Sequence, residues 1–370
     1  VEDVVTSPSF WRGKRVFVTG HTGFKGGWLA MWLSELGAEV TGYALPPPTT
    51  PNLFDLARVG ARLRHVEGDV RDEEALARAV REARPEIVIH LAAQPIVRRS
   101  YEEPVLTFAT NVMGTVNLLE AVRCWGGARS VVCITSDKCY ENPDDGRPCQ
   151  EPDPLGGHDP YSSSKGCAEF VVSSYRRSYF RPEDIAEHGV ALASARAGNV
   201  IGGGDWARDR LVPDLMRGFA AGSRPAIRFA NAVRPWQHVL EPLGGYMALA
   251  ERLYRGETRF AESWNFGPDE ADAKAVDWVA DRLSELWGDG AGWTRVGGAQ
   301  LHEARFLLLD CAKARSALGW RPRWGLEEGL RRTVDWYRRV VRGADAAALS
   351  VGQIRDFAAE PVGVPADRVA

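Results

Sequence analysis

The sequence predicts an α/β chain: a doubly wound parallel sheet, followed by a smaller C-terminal α/β region. Three observations carry that expectation. Short, continuous apolar runs rich in β-branched residues alternate with helix-period segments through the first half, as buried parallel strands joined by crossover helices do. The first such run, Arg15 to Thr19, is followed by Gly20, Gly23 and Gly26 at three-residue spacing and then by the apolar pattern of Trp28, Leu29, Met31, Trp32 and Leu33, so the glycines stand where a strand turns into a helix. The chain has 370 residues, 45% of them hydrophobic and 26% charged, ordinary globular composition for one large domain or two fused ones.

The same bulk properties exclude several classes of function. A formal net charge of −3 with no basic tail argues against nucleic acid as a partner. No run of about 18 apolar residues is present, so no membrane span is expected, and the opening VEDVVTSPSFW lacks the basic-then-apolar pattern of a signal peptide. The six cysteines form no C-x-x-C pair and no zinc-spaced cluster with histidine, so no metal is expected; a reduced, cytoplasmic protein follows, with Cys133 a small buried hydrophobe.

In chain order, a helix runs from the glycine turn to about Leu36 and is ended by Gly37. Ala38 to Ala44 reads as the second strand, and Pro46 to Pro51 as a loop. Leu63 to Val66 is the third strand, Glu73 to Ala83 an amphipathic helix, Ile87 to Leu91 the fourth strand, Asn111 to Cys124 a long helix and Val131 to Thr135 the fifth strand. The glycine turn suits a phosphate: free backbone N–H groups and the helix dipole favour an anion, and missing Cβ atoms let a pyrophosphate approach. Dinucleotide binding in a Rossmann-type fold is therefore expected, on Gly20, His21, Thr22, Gly23, Phe24, Lys25 and Gly26. Ligands in such sheets lie beyond the carboxyl ends of the strands, which adds Asp69 and Val70, Leu91, Ala92, Ala93 and Gln94, and Thr135 through Lys138; Asn111 joins this cofactor set. Asp69 reads either as an adenine contact or as a helix cap. The second strand ends in Tyr43, Ala44 and Leu45, without the carboxylate that usually binds the ribose and without an arginine for a 2′-phosphate, so NAD over NADP is not settled there.

Tyr161 and Lys165 lie four apart at the start of a helix and so on one face. An ammonium beside a phenol lowers the phenol's pKa, which would let Tyr161 take a proton from an alcohol while hydride leaves the same carbon. In most sequences such spacing is a surface pair; after a glycine turn and a strand ending in Thr135-Ser136-Asp137-Lys138 it reads as chemistry.

On these residues the chain resembles the extended short-chain dehydrogenase/reductases and, within them, the CDP-glucose 4,6-dehydratase subgroup. The likeness covers nearly the whole chain and rests on FWRGKRVFVTGHTGFKGGWL, ITSDKCYEN, YSSSKG, ARAGNVIGGGDW and RPWQHVLEPL. It implies a lyase of deoxysugar biosynthesis that uses NAD as an internal hydride store. Tyr161, Lys165 and Ser136 would oxidise carbon-4 of a nucleotide-linked glucose, and Asp137 and Lys138 would serve as acid and base for loss of water across carbons 5 and 6. The Asp-Lys pair replaces the Asp-Glu of dTDP-glucose dehydratases, and which member is acid and which base is left open. Gln94, Asn199, Arg208, Arg228 and Arg234 are the further substrate candidates, with His238 read as structural. An epimerase of the same fold, a dehydratase of another nucleotide sugar and a non-catalytic NAD-binding protein are the alternatives. The expected organisation is an NAD-binding domain over 1–195 with a return segment near 236–265, a substrate domain over 196–342 and a tail from 343 to 370. Asn265 to Pro268 reads as a closing turn. A homodimer, or a dimer of dimers, is expected through helices starting near Phe108 and Tyr161.

Overall fold

The computed structural model describes residues 8–296 and 304–360. Seven parallel strands form one sheet: β1 (Arg15–Thr19), β2 (Glu39–Ala44), β3 (Arg64–Glu67), β4 (Ile87–His90), β5 (Ser130–Ile134), β6 (Ala191–Ala197) and β7 (Ser263–Phe266), in the order 7-6-5-4-1-2-3. The order reverses between β1 and β4, which opens a crevice at their carboxyl ends. Successive side chains alternate between faces. Val16, Val18, Ile87, Ile89, Val132 and Ile134 go to one core with helices α1 (Phe24–Glu35) and, later in the chain, Leu240–Tyr254. Phe17, Val88, Val131 and Cys133 go to the other core, with α2 (Glu73–Ala83), α3 (Gly114–Trp125) and α4 (Pro160–Ser178).

Beyond β6 the chain builds small two-stranded pairings: Val200–Ile201 with Gln237–His238, Val233–Pro235 with Ala273–Ala275, and Ala226–Ile227 with Thr294–Arg295. Helices Leu211–Ala220, Val276–Trp287 and Leu326–Val341 pack around them. These elements and the sheet share the cleft described below.

Four expectations change. Asn265 and Phe266 belong to the seventh strand, paired with Arg196 and Ala197; the four-residue run SWNF is too short for periodicity to mark, and Asn265 is buried because Tyr140 and the carbonyls of Cys149 and Asp310 satisfy it. The segment from 343 is not a tail over its described part: Ala346–Ala359 is a helix capped by Asp345, with Phe357 set edge-on to both Trp32 and Trp324. Residues 361–370 lie outside the described residues. The long helix starts at Pro104, not Asn111, and runs through a π-type turn at Ala109–Met113 into α3. That 22-residue helix, Pro104–Trp125, is among the described residues long and apolar enough to cross a membrane, against the expectation of none. Its inner face, with Thr115, Leu118, Leu119 and Val122, is buried in the second core.

Candidate active site

The glycine turn is built as its residues require. Gly20 has φ +78°, a region only glycine enters at no steric cost, and a Cβ there would stand 2.7 Å from the Ala92 nitrogen. A Cβ at Gly26 would stand 2.2 Å from the Gly20 oxygen, so α1 can approach β1 this closely only with glycine at that position. Gly23 is the N-cap of α1, without a side-chain cap and without an acidic residue in the first turn, leaving the first N–H groups for an anion. Lys25 lies beside them, its ammonium pushed down to about 8 by burial and by Arg210. The chemistry of this turn fits the pyrophosphate of a dinucleotide.

The other proposed cofactor contacts divide. Thr19 Oγ1 accepts from the Leu91 and Ala92 amides and meets His90 Nδ1 at 2.7 Å, which fixes the small-residue segment after β4 against the glycine turn. His21 lies under β2, where the missing Cβ of Gly42 makes room for its ring, and meets His65 Nδ1 at 2.7 Å; Thr22 donates to the Leu45 carbonyl. Asp69 is engaged by the Arg71 side chain and amide, and the cap of α2 is Asp72, so the cap reading of Asp69 is not realised. Val70 is buried against Gly114. Gln94 and Asn111 do not line the cavity described below. Asn111 is tied to the Gln94 backbone and to Ser164, while the Gln94 amide bonds Ile96 and Thr107. Both hold the segment in place; buried amides satisfy one another before they face a ligand.

At the carboxyl end of β5 the side chains of Ser136, Asp137 and Lys138 meet Tyr161 at one cavity of about 370 Å³. The Ser136 hydroxyl donates to Asp137 Oδ1 at 2.9 Å and also hydrogen-bonds the Tyr161 phenol. Asp137 Oδ2 is buried without a partner among the described residues, and burial raises the Asp137 carboxyl above the usual range. Lys165 lies one turn below Tyr161 on α4, with its ammonium 3.4 Å from the Ile134 carbonyl; burial pushes it down to about 8. The Tyr161 phenol is not acidified in this structure. Burial pushes it up to about 12, and what opposes that rise is the Ser136 hydrogen bond and the charge of Arg210. The expected acidification by Lys165 is thus corrected: its ammonium faces a strand carbonyl instead.

The cavity's far wall comes from the C-terminal half: Asn199, Asp205, Asp209, Arg210, Arg228 and Arg234, with Arg98 from the segment after β4. Arg208 is exposed and does not line the cavity. Arg210, two residues on, does, and pairs with Asp205 at 2.8 Å. The sequence places both arginines in one loop, and only the loop's path separates them. Arg234 is 3% exposed, and its guanidinium donates to the carbonyls of Val233, Ala304 and Arg305. His238 packs edge-on between Trp28 and Trp324, a structural position.

Residues 17–252 match the family model described as GDP-mannose 4,6 dehydratase. The chain is 54% identical to the CDP-glucose 4,6-dehydratase of Salmonella typhimurium over 349 residues, 94% of this chain and 97% of that protein. It is 30% identical to a dTDP-glucose 4,6-dehydratase of Streptomyces antibioticus over 87% of this chain and 92% of that one. Among solved structures, a dTDP-glucose 4,6-dehydratase double mutant from Streptomyces venezuelae with NAD bound matches 87% of this chain and 96% of its own, with TM-score 0.74 and 27% identity. The Thermus thermophilus UDP-glucose 4-epimerase complex with NAD matches 87% and 98%, with TM-score 0.73 and 28% identity. Fold, glycine turn and near-full-length identity agree: the chain belongs to the GDP-mannose 4,6 dehydratase family of extended short-chain dehydrogenase/reductases, with CDP-glucose 4,6-dehydratase among its relatives.

Proposed function

We propose that the chain is an NAD-dependent hydro-lyase that converts CDP-glucose to its 4-keto-6-deoxy form. The observation that carries the reading is the meeting of Ser136, Asp137, Lys138 and Tyr161 around one cavity at the mouth of the glycine turn. Oxidation at carbon-4 alone needs only the serine and tyrosine. Asp137 and Lys138 beside them add the acid and base that elimination requires and an epimerase does not.

Gly20, Gly23 and Gly26 with the first turn of α1 would hold NAD; when bound, its nicotinamide supplies a hydride acceptor at carbon-4 and, later, a hydride donor at carbon-6. Tyr161, once ionised to its phenolate and hydrogen-bonded to Ser136, receives the proton of the 4-hydroxyl. Lys165 holds positive charge beneath the tyrosine. The 4-keto group makes the carbon-5 hydrogen acidic; Lys138 removes it and returns a proton to carbon-5 when carbon-6 takes hydride. Asp137, its carboxyl raised above the usual range by burial, is the acid that gives a proton to the departing 6-hydroxyl. The alternative division, Asp137 as base and Lys138 as acid, would require Asp137 to ionise in a buried position.

The helices Pro104–Trp125 and α4 carry a side-by-side apolar surface in Val105, Phe108, Met113, Phe170 and Tyr179, all exposed. An exposed apolar patch on helices suits burial against a copy of itself. A homodimer through these helices follows as part of the proposal, with a cytoplasmic location consistent with six unpaired cysteines. Replacing Asp137 with Asn and Lys138 with Met tests the mechanism: carbon-4 oxidation should persist, visible as nicotinamide reduction on adding substrate, while 4-keto-6-deoxy product falls sharply. Dehydration near wild-type rate in both variants would make the pair structural.

A further inference from the structure

Three buried polar atoms without a hydrogen-bond partner among the described residues lie at the carboxyl ends of β5, β6 and β7: Asp137 Oδ2, Gln237 Oε1 and the Tyr246 hydroxyl. Tyr246 and Gln237 are 0% and 2% exposed, and neither lines the cavity. Tyr246 comes from the helix Leu240–Tyr254, which lies against β5 and β6. Its ring stands edge-on to that of Phe266, the last residue of β7, at 5.6 Å between centroids. Gly245 permits the approach, since a Cβ there would stand 2.4 Å from the Phe266 ring. The Phe266 carbonyl accepts from Gln237 Nε2 at 2.9 Å, which fixes the amide and leaves Oε1 as the acceptor. Phe266 pairs with Ala197 at the end of β6, and the next residue, Gly198, faces the acid: a Cβ there would stand 3.0 Å from Asp137 Oδ2. The Gln237 backbone N–H donates to the Asn199 carbonyl at 3.0 Å, which keeps it beside Gly198.

Gln237 Oε1 and an ionised Asp137 Oδ2 accept; the Tyr246 O–H donates. Unpaired buried polar atoms are costly and rare, and three in one place call for a shared partner. A buried water makes about three hydrogen bonds to such atoms. It can accept from Tyr246 while donating to Gln237 Oε1 and to Asp137 Oδ2. When Asp137 is protonated the last bond reverses, and the carboxyl donates to the water. Burial pushes the Tyr246 phenol up, and the charges of Asp137 and then Tyr161 push it further, so the hydroxyl lies in the field of the acid.

We propose that Tyr246 is a positioning residue for the acid Asp137, acting through a buried water held with Gln237 against Asp137 Oδ2. The inference rests on the dehydratase reading of the site. Elimination turns the Asp137 carboxyl into a carboxylate in a buried place, with the Ser136 hydroxyl on Oδ1 and nothing on Oδ2. Lys138, Arg234 and Lys25 bring positive charge that favours that anion. The water adds the hydrogen bond at Oδ2, where the charge develops. Tyr246 sets the water's orientation, because its O–H takes a lone pair of the water and turns the two hydrogens toward Gln237 and Asp137. The proton of Asp137 leaves with the 6-hydroxyl oxygen as water, and none passes through Tyr246.

The test compares Tyr246→Phe with the wild type in single-turnover reactions of the NAD-loaded enzyme with CDP-glucose, following nicotinamide reduction and 4-keto-6-deoxy product separately. The variant keeps the ring against Phe266 and loses only the hydroxyl. Carbon-4 oxidation should be unchanged, product formation should fall by about 10-fold, and reduced nicotinamide should persist longer than in the wild type. Added to Asp137→Asn, Tyr246→Phe should have no further effect, since the group it serves is gone. Tyr254→Phe, on the same helix but with its hydroxyl on Glu86 at 2.9 Å, should leave both steps unaltered. A crystal structure of the wild type should show a water within hydrogen-bond distance of Asp137 Oδ2, Gln237 Oε1 and the Tyr246 hydroxyl. The inference is overturned by three atoms with no water among them, by elimination at the wild-type rate in Tyr246→Phe, by equal slowing of oxidation and elimination, by an undiminished effect on Asp137→Asn, or by Tyr254→Phe acting alike. A wild type that makes no 4-keto-6-deoxy product from CDP-glucose overturns the dehydratase reading instead.

Discussion

Arg196 on β6 donates to the Glu169 carboxylate on α4 at 2.7 Å, with both side chains 2% exposed. Glu169 also accepts from Thr135, Ser194 and Ser263, and Arg196 donates to the Tyr140 hydroxyl at 2.6 Å. One buried carboxylate thus ties the helix that carries Tyr161 and Lys165 to the ends of β5, β6 and β7. The charge of Arg196, with the hydrogen bonds, holds Glu169 below the usual carboxylate range despite its burial.

Arg196→Met leaves that carboxylate buried without its cation and should cost about 3–5 kcal/mol of stability, because an uncompensated interior charge is the expensive state. Adding Glu169→Gln should recover part of the loss. Urea denaturation of the wild type and the two variants measures both quantities.

Gly26→Ala should weaken NAD binding by at least ~10-fold, about 1.4 kcal/mol, since the new Cβ must push α1 off the Gly20 carbonyl. Gly23→Ala, whose Cβ would meet that same oxygen at an ordinary 3.4 Å, should be milder. Titration calorimetry with NAD ranks the two, and far-ultraviolet circular dichroism checks that both remain folded.

The pH dependence of carbon-4 oxidation should report Tyr161. Burial places its phenol near 12, and Arg210 is among the groups that hold it from rising further. A phenol that must lose its proton gives a rate that climbs with pH. Removing a nearby positive charge raises the phenol's pKa, so Arg210→Met should move the climb to higher pH, by about 0.5–1 unit. A profile that stays put, measured as single-turnover nicotinamide reduction, would place Arg210 outside the chemistry.

Phe170, 59% exposed on the apolar surface, should be covered by a second copy. Phe170→Glu should convert a dimer to monomers by light scattering, because a carboxylate buried in an apolar interface is not tolerated without a partner.

The layered fold was legible wherever periodicity or punctuation was strong. Glu73–Ala83 begins and ends where the sequence places it, since amphipathic spacing and turn residues both mark it. The seventh strand was hidden because four residues hold no period. The helix Ala346–Ala359 was hidden because it buries parts of several faces, between α1 and Leu326–Val341, and so shows no single stripe. In the site, Ser136, Asp137, Lys138 and Tyr161 could be named because strand ends and helix starts fix where they point. Gln94 and Asn111 turn to internal partners because a polar side chain beneath a loop can satisfy itself there, and Arg208 leaves the cavity because the loop's path carries it to the surface. Sequence gives a side chain's position but not its partner. Arg98, Asp209 and Arg210 had no signal beyond being charged, and only the folded cleft brings them together.

The central claim is oxidation, elimination and reduction on one nucleotide-linked glucose. The enzyme should be incubated with NAD and, separately, with CDP-, dTDP-, UDP- and GDP-glucose, and the products treated with alkali and read by ultraviolet absorbance. Strong absorbance of a 4-keto-6-deoxy sugar from CDP-glucose, with no net reduced nicotinamide at the end of the reaction, is the predicted result. Recovery of CDP-glucose unchanged, or its conversion to the 4-epimer without the alkali chromophore, would contradict it.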